Sequence, residues 1–410
     1  MQEKIGVEIS QVKRMLNKVP EITIYFWIIK VLCTTVGETA SDFLNINLNL
    51  GLTGTSIITG ILLAIILFFQ FRGKKYVPGI YWVTVVLISI FGTLVTDNLT
   101  DAMGVPLETS TIVFTVLLAL TFAVWYKYEK TLAIHSIFTR RREAFYWLAI
   151  LFTFALGTAS GDLMAEGLGL GYLTTGLIVC GVVATFAVAW KIGLDSILSF
   201  WLIYIMTRPL GASLGDYLSQ PAKYGGLDLG ATITSVIFLL AILATVVFLS
   251  ITKKDVIKKE AIVEEKIELK KPNTVWQVAI TLAVLVIISG VGYYWRQASL
   301  QAGANNIFAD TQTQNDSSDQ ANLGDLSNFQ IITQATLDLV NLGDLSGAKT
   351  RANDLEYEWD NATARLKSMD KSKWTEIDDV VDTVLKNLRA RNQDATKCKS
   401  SLETLLTLFN

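Results

Sequence analysis

The 410-residue chain has one histidine, His135, and three cysteines, Cys33, Cys180 and Cys398. Zinc, copper and nickel favour imidazole and thiolate ligands, so this supply argues against sites for them. Two of the cysteines lie in apolar runs and the third in a polar tail, which gives no disulfide framework. The sequence also lacks a phosphate-cradling glycine loop, a nucleophile elbow and a histidine-centred triad. Neither an enzyme nor a resident cofactor is expected. With a net charge of −2 and no basic stripe with interleaved aromatics, nucleic acid is not an expected partner. The opening stretch MQEKIGVEISQVKRMLNKVPE is charged and amphipathic, so no cleavable signal peptide is expected.

What the chain does have is apolar length. It is 51% hydrophobic, and residues 20 to 250 are mostly long apolar runs, whereas residues 297 to 410 are polar. Repeated runs of this kind suit a bilayer, where a crossing helix needs about 20 apolar residues. The runs also repeat. Trp, nine residues, Gly, four residues and Asp recur at Trp27/Gly37/Asp42, Trp82/Gly92/Asp97, Trp147/Gly157/Asp162 and Trp201/Gly211/Asp216. Each copy continues through a short connector into a second apolar run, at 54–71, 109–127, 172–190 and 229–251. A repeat therefore reads as a helical hairpin that crosses the membrane twice.

Lysine and arginine gather between the repeats and are nearly absent from the hairpin connectors, Lys223 excepted. The positive-inside rule then places the N-terminus and inter-repeat loops in the cytoplasm, with all four repeats parallel. The expected fold is all-α. Residues 1–21 form a cytoplasmic amphipathic N-terminus and 22–251 an eight-helix membrane domain. A charged cytoplasmic connector (252–273) leads to a ninth transmembrane helix (274–296), a flexible linker (297–324) and an extracytoplasmic helical bundle (325–410). The linker is rich in Gln, Asn, Asp and Ser, and the bundle has apolar residues every three or four positions. A multi-pass membrane protein is implied, with its C-terminal domain on the far side of the membrane from the cytoplasm.

The repeated acids are the candidate site. An ionised carboxylate at the bilayer centre costs roughly 2.5–3.5 kcal/mol, and about 20 residues at 1.5 Å each put the four aspartates in the outer third. Glu38/Asp42, Asp97/Asp101 and Asp162/Glu166 are spaced by four, on one helix face. The fourth repeat instead carries Arg208 eight residues before Asp216. Oxygen-only ligands of high negative charge suit Mn²⁺, Mg²⁺ or Ca²⁺. Asp42, Asp97, Asp162, Asp216, Glu38, Asp101 and Glu166 are thus candidate ligands and Arg208 a counter-charge. The expectation is a transporter or channel for a hard divalent cation as substrate, open to proton coupling, with Glu38, Asp101 and Glu166 as second ligands or proton carriers. The rival is a membrane sensor or scaffold whose outer bundle contacts an envelope component, and self-association is left open. Thr53, Thr109, Thr174 and Thr232 are expected to cap the second helices, and the repeat tryptophans to anchor at the interface.

The Gly-x4-Asp steps resemble those of a family of bacterial membrane-anchored proteins built from four units of roughly fifty residues. The resemblance covers about residues 22 to 250 and implies this architecture in a bacterial inner membrane, with the far side periplasmic or extracellular, but no substrate. It does not extend to the tail.

Overall fold

In the computed structural model, residues 17–47, 50–100, 103, 105–220, 226–256, 274–312, 323–390 and 393–409 are described. Every regular element among them is helical. Each repeat supplies an inner helix and an outer one. The inner helices are α1 (Ile24–Asp42), α3 (Pro78–Thr100), α5 (Arg140–Asp162) and α7 (Ser196–Ser219). The outer helices are α2 (Gly51–Arg72), α4 (Leu107–Glu129), α6 (Tyr172–Lys191) and α8 (Gly230–Thr252). Inner helices α3, α5 and α7 bury 56–61% of their apolar window, the outer helices only 17–22%. The polar loops and inner faces thus leave a belt of Ile, Leu, Val and Phe on the outer helices.

Among the described residues, eight helices are long and apolar enough to cross a membrane: α2 through α8, and the stretch Trp276–Arg296. This is consistent with a multi-pass membrane protein. The exception to the expected nine is α1. Its 19 residues include Lys30, Glu38 and Asp42, which dilute its hydropathy, yet its core positions Phe26, Ile29, Lys30, Cys33 and Val36 are buried inside the bundle.

The four inner helices pack in a ring, α1 on α3, α3 on α5, α5 on α7 and α7 on α1. The repeat glycines make this possible. A Cβ on Gly37 would fall within 3.0 Å of Ser89, one on Gly92 of Phe154, one on Gly157 of Arg208 and one on Gly211 of Thr34. Ser89, Phe154, Arg208 and Thr34 each lie three residues before the glycine of their own repeat. The same contact is therefore made four times and closes on itself. Outer helices follow a second cyclic rule: α2 packs on α3, α4 on α5, α6 on α7 and α8 on α1. A repeat does not close as an isolated hairpin; it covers the inner helix of the next.

Helix starts have local causes. Thr23, Thr139 and Asp195 cap α1, α5 and α7 with side-chain oxygens. The expected threonine caps of the outer helices are not found, because Thr53, Thr109, Thr174 and Thr232 already lie in the first turn. Gly51, Gly171 and Gly230 turn the chain there with positive φ, a conformation glycine adopts without steric cost. The repeat tryptophans also depart from expectation. Trp82, Trp147 and Trp201 are buried and form edge and tilted contacts with Tyr81, Tyr146, Phe200 and Tyr204 inside the ring. Aromatic packing among the inner helices outweighs the interfacial preference.

The inter-repeat end is sealed by the segment before α1. Lys18 pairs with Glu143 at 2.6 Å and also donates to the Phe71 carbonyl, while Gln70 donates to Glu143 at 3.1 Å. Beside it the Tyr76 hydroxyl donates to Asp255 at 2.6 Å.

The next helix, α9 (Thr274–Gln312), has 39 residues and runs past Arg296, so 297–312 is helical where a linker was expected. Alanine, leucine and glutamine in QASLQAGANN favour continuing a helix already nucleated. Gln277 bonds Gly193 and Asp195 at the inter-repeat end, and Arg296 donates to the Leu168 and Gly169 carbonyls at the hairpin tips. Thus α9 traverses the bundle. Beyond it, α10 (Ser327–Asn341), α11 (Leu345–Met369), α12 (Lys371–Arg389) and α13 (Ala395–Phe409) form the expected four-helix bundle on the tip side. Its core is contiguous, from Leu326 and Phe329 through Trp359, Ile377 and Val384 to Leu405 and Phe409.

That core predicts autonomous folding. Residues 323–410 expressed alone should give a helical spectrum and a cooperative melt; a non-cooperative melt contradicts this. Burial holds the Asp378 carboxyl above the ordinary aspartate range, although Trp359 Nε1 donates to it at 2.7 Å. An acid whose folded affinity for its proton exceeds its unfolded affinity favours the folded state most below the ordinary value. Stability from this group is therefore expected to fall as pH rises from the ordinary aspartate value to the raised one. Asp378→Asn keeps an acceptor for Trp359 and should flatten that part of the profile in thermal melts across the acidic range.

Candidate functional site

Counted from each repeat glycine, every fourth residue of an inner helix falls on one face, and the four faces meet. At position −11 stand Phe26, Tyr81, Tyr146 and Phe200; at −7 Lys30, Val85, Ile150 and Tyr204; at −3 Thr34, Ser89, Phe154 and Arg208. At +1 stand Glu38, Thr93, Thr158 and Ala212, and at +5 the four aspartates. All residues of the first four layers are buried. In the last, Asp216 is buried and Asp42, Asp97 and Asp162 are half-buried. The aspartates are therefore the mouth of an axial stack, on the side of the hairpin tips.

Three of the buried layers carry charge: Lys30 at −7, Arg208 at −3 and Glu38 at +1. Arg208 is 0% exposed, and its guanidinium touches all three other repeats. It pairs with Glu38 at 2.6 Å, donates to Thr158 Oγ1 at 2.8 Å and to the Thr34 carbonyl at 3.3 Å, and makes a short bond to Thr93 Oγ1. Its acceptor side chains are three of the four +1 residues. The fourth, Ala212, is in Arg208's own repeat. An unpaired guanidinium this deep would carry a large desolvation cost. The pairing to Glu38 and two threonines offsets it. Lys30, one layer further in, is 1% exposed. Its Nζ lies 3.8 Å from the Phe154 ring centre and 4.2 Å from that of Tyr204 and has no hydrogen-bond partner among the described residues.

The expected ligands are brought together only in part. Glu38, Asp42, Asp162 and Glu166 all lie within electrostatic reach of Asp216. Asp97 accepts from Ser41 at 3.4 Å, joining the first and second repeats. Glu166 lies in a π-helical turn, Leu163–Gly167, and accepts from Tyr172 at 3.1 Å. Asp101 and Lys223 lie outside the described residues. Among the described residues, no three His, Cys, Asp or Glu side chains are close enough together to hold a metal ion. The acids in this arrangement form a negative mouth. Arg208 pairs with Glu38, from the opposite side of the chain's repeat order, and not with Asp216 on its own helix.

Four segments of the chain, 25–76, 80–131, 145–192 and 199–255, match the family described as Repeat of Unknown Function (DUF347). The chain belongs to that family. The matched segments begin near the start of each inner helix and end at or just past the outer one, so each DUF347 unit is one inner–outer pair. No curated protein and no solved structure matches the chain. Within the DUF347 units, Gly-x4-Asp now has a physical reading: the glycine admits the neighbouring helix and the aspartate, five residues on, stays on the axial face. Reading the acids alone missed Lys30, Thr93 and Thr158. Their signal was present, since Lys30 lies eight residues before Glu38 and both threonines share its repeat position.

Proposed function

We propose that the DUF347 core is a secondary transporter for a hard cation, with the +5 aspartates as its entry site and the Arg208–Glu38 pair as its switch. One observation carries this reading: a fully buried guanidinium at the junction of all four repeats, ion-paired directly beneath a ring of acids. A cation approaching the axis meets Asp42, Asp97, Asp162 and Asp216 first. To recruit Glu38 it must displace Arg208, whose threonine contacts in the second and third repeats are lost in the same step. Ion entry is thereby coupled to the packing of the repeats, and a ligand shifts an equilibrium only through such differential contacts. The sealed Lys18–Glu143 end and the half-buried acidic end fit one state of an alternating cycle. The N-terminus and inter-repeat loops are assigned to the cytoplasm and the bundle to the outside, on the lysine and arginine bias.

Uptake of Mn²⁺, Mg²⁺ and Ca²⁺ into proteoliposomes tests this. Flux of at least one ion should exceed that of empty vesicles, and Asp97→Asn with Asp162→Asn should return it to their level. Unchanged flux in that double variant removes the aspartates from the site.

A second reading, a sensor or scaffold, draws support from the tail. Helix α11 packs on the Leu163–Gly167 turn, and Lys367 lies 3.6 Å from Glu108 at the hairpin tips. A tail seated there is placed to relay a contact in the envelope to the membrane core. In that case the aspartate variants alter stability and there is no wild-type flux to lose.

A further inference from the structure

We infer that Lys30 is the proton-carrying residue of this transporter, so that cation movement is coupled to protons through the −7 layer. The inference rests on the transport reading above. Lys30 is a buried amine in the middle of inner helix α1, and among the described residues no oxygen accepts from its Nζ. Glu38 is engaged by Arg208 at 2.6 Å. What Lys30 does have is two ring faces, Phe154 and Tyr204, at 3.8 and 4.2 Å. Aromatic faces stabilise an ammonium without fixing its protons. The site therefore supports a charged lysine while leaving its protons uncommitted. Arginine keeps its proton throughout the accessible pH range, whereas lysine can exchange one. Of the two axial cations, Arg208 is thus the permanent charge and Lys30 the exchangeable one.

Its surroundings complete the case. Helix α7 brings Tyr204 and Arg208 to this level, α3 brings Tyr81 and α5 brings Tyr146, while Cys33 is one turn along α1 itself. Helix α8, which also packs on α1, has no titratable residue. The acids of these helices lie elsewhere: Glu143 at the sealed end, and Asp97, Asp162 and Asp216 at the mouth. The Tyr81 and Tyr146 hydroxyls share a hydrogen bond of 2.6 Å, and the buried Tyr204 hydroxyl has no partner among the described residues. Tyr204 thus shares the layer of the amine, and the Tyr81–Tyr146 phenol pair stands one layer further toward the sealed end. The step is simple in its balance: the amine takes one proton from one side of the membrane and returns it to the other. A charge gained at Lys30 also repels Arg208 one layer above, which weakens its hold on Glu38. Proton binding at Lys30 and cation binding at the acids then address the same ion pair from opposite sides.

The test uses full-length protein in proteoliposomes carrying a trapped pH dye, with Mn²⁺, Mg²⁺ or Ca²⁺ gradients imposed. In the wild type, cation movement should be accompanied by proton movement. Lys30→Met and Lys30→Arg should both lose the proton signal while keeping the cation-dependent rise in melting temperature that reports binding at the acids. Lys30→Arg retains the charge over the two rings and is read if the methionine variant does not fold. Wild-type proton movement persisting in Lys30→Arg would falsify the assignment. Cation flux without any proton movement in the wild type overturns it too, but leaves the transport reading standing. No cation flux in the wild type removes both.

Discussion

Replacing Arg208 with Gln in the full-length protein should lower its stability more than substitution of any polar axial residue except its partner Glu38. Breaking a buried ion pair by deleting one member costs about 3–5 kcal/mol, because the remaining charge is left without its partner. Here the stranded group is Glu38, in a layer whose other members are Thr93, Thr158 and Ala212, none of which carries a compensating charge. The loss also strips donors from Thr93, Thr158 and the Thr34 carbonyl, each in a different repeat. Glu38→Gln strands Arg208 instead and should cost a similar amount. The double variant, Glu38→Gln with Arg208→Gln, leaves no unpaired charge and should recover much of either loss. Thermal melts in detergent measure all three against wild type. Additive losses in the double variant would mean that the two side chains do not act as a pair, and the proposed switch would lose its basis.

The legible and illegible parts of this molecule separate along one physical line. Long apolar runs and the Trp-x9-Gly-x4-Asp spacing announced the repeats, and apolar residues every three or four positions announced the bundle from Phe329 to Phe409, because both are local patterns. Pairings across repeats have no local trace. That α2 covers α3 and α8 returns to cover α1 is set by which helix completes the ring. Arg208 was read beside Asp216, its neighbour along the helix, and its partner proved to be Glu38, 170 positions away in sequence. The tryptophans were misread for a related reason: a helix start near a membrane surface looks the same whether its aromatic face points to lipid or to three other helices. Lys30 could have been found. Overlaying the repeats at intervals of four places Lys30, Thr34, Glu38 and Asp42 on one face of α1, and an ammonium on the face that carries the acids is itself a signal.

The closed glycine ring makes the last and sharpest demand on the structure. In an exposed helix, Gly→Ala gains about 1 kcal/mol of helix propensity. Gly181, on outer helix α6, has open space where a Cβ would go, so Gly181→Ala should be neutral or stabilising by up to that amount. Gly92 faces the opposite situation. Its Cβ would stand 2.7 Å from the Phe154 Cβ and 3.4 Å from the Ala155 nitrogen, atoms close to or in the backbone that no rotamer change can withdraw. The helices α3 and α5 must separate, and overpacking of this kind costs about 1–3 kcal/mol. Gly92→Val adds two further methyl groups at the same place and should lie at the upper end of that range or beyond. The strain does not stay local. Phe154 is the ring on which Lys30 rests, and the next residue pair along the closed contact is Gly157 with Arg208. Pushing Phe154 outward therefore moves the face beneath Lys30 and disturbs the seat of Arg208, so Gly92→Val should impair cation flux as well as stability. Melting temperatures of Gly92→Ala, Gly92→Val and Gly181→Ala, with flux measured on those that fold, give the comparison. A Gly92 series as mild as Gly181→Ala would show that α3 and α5 do not approach as closely as the ring requires.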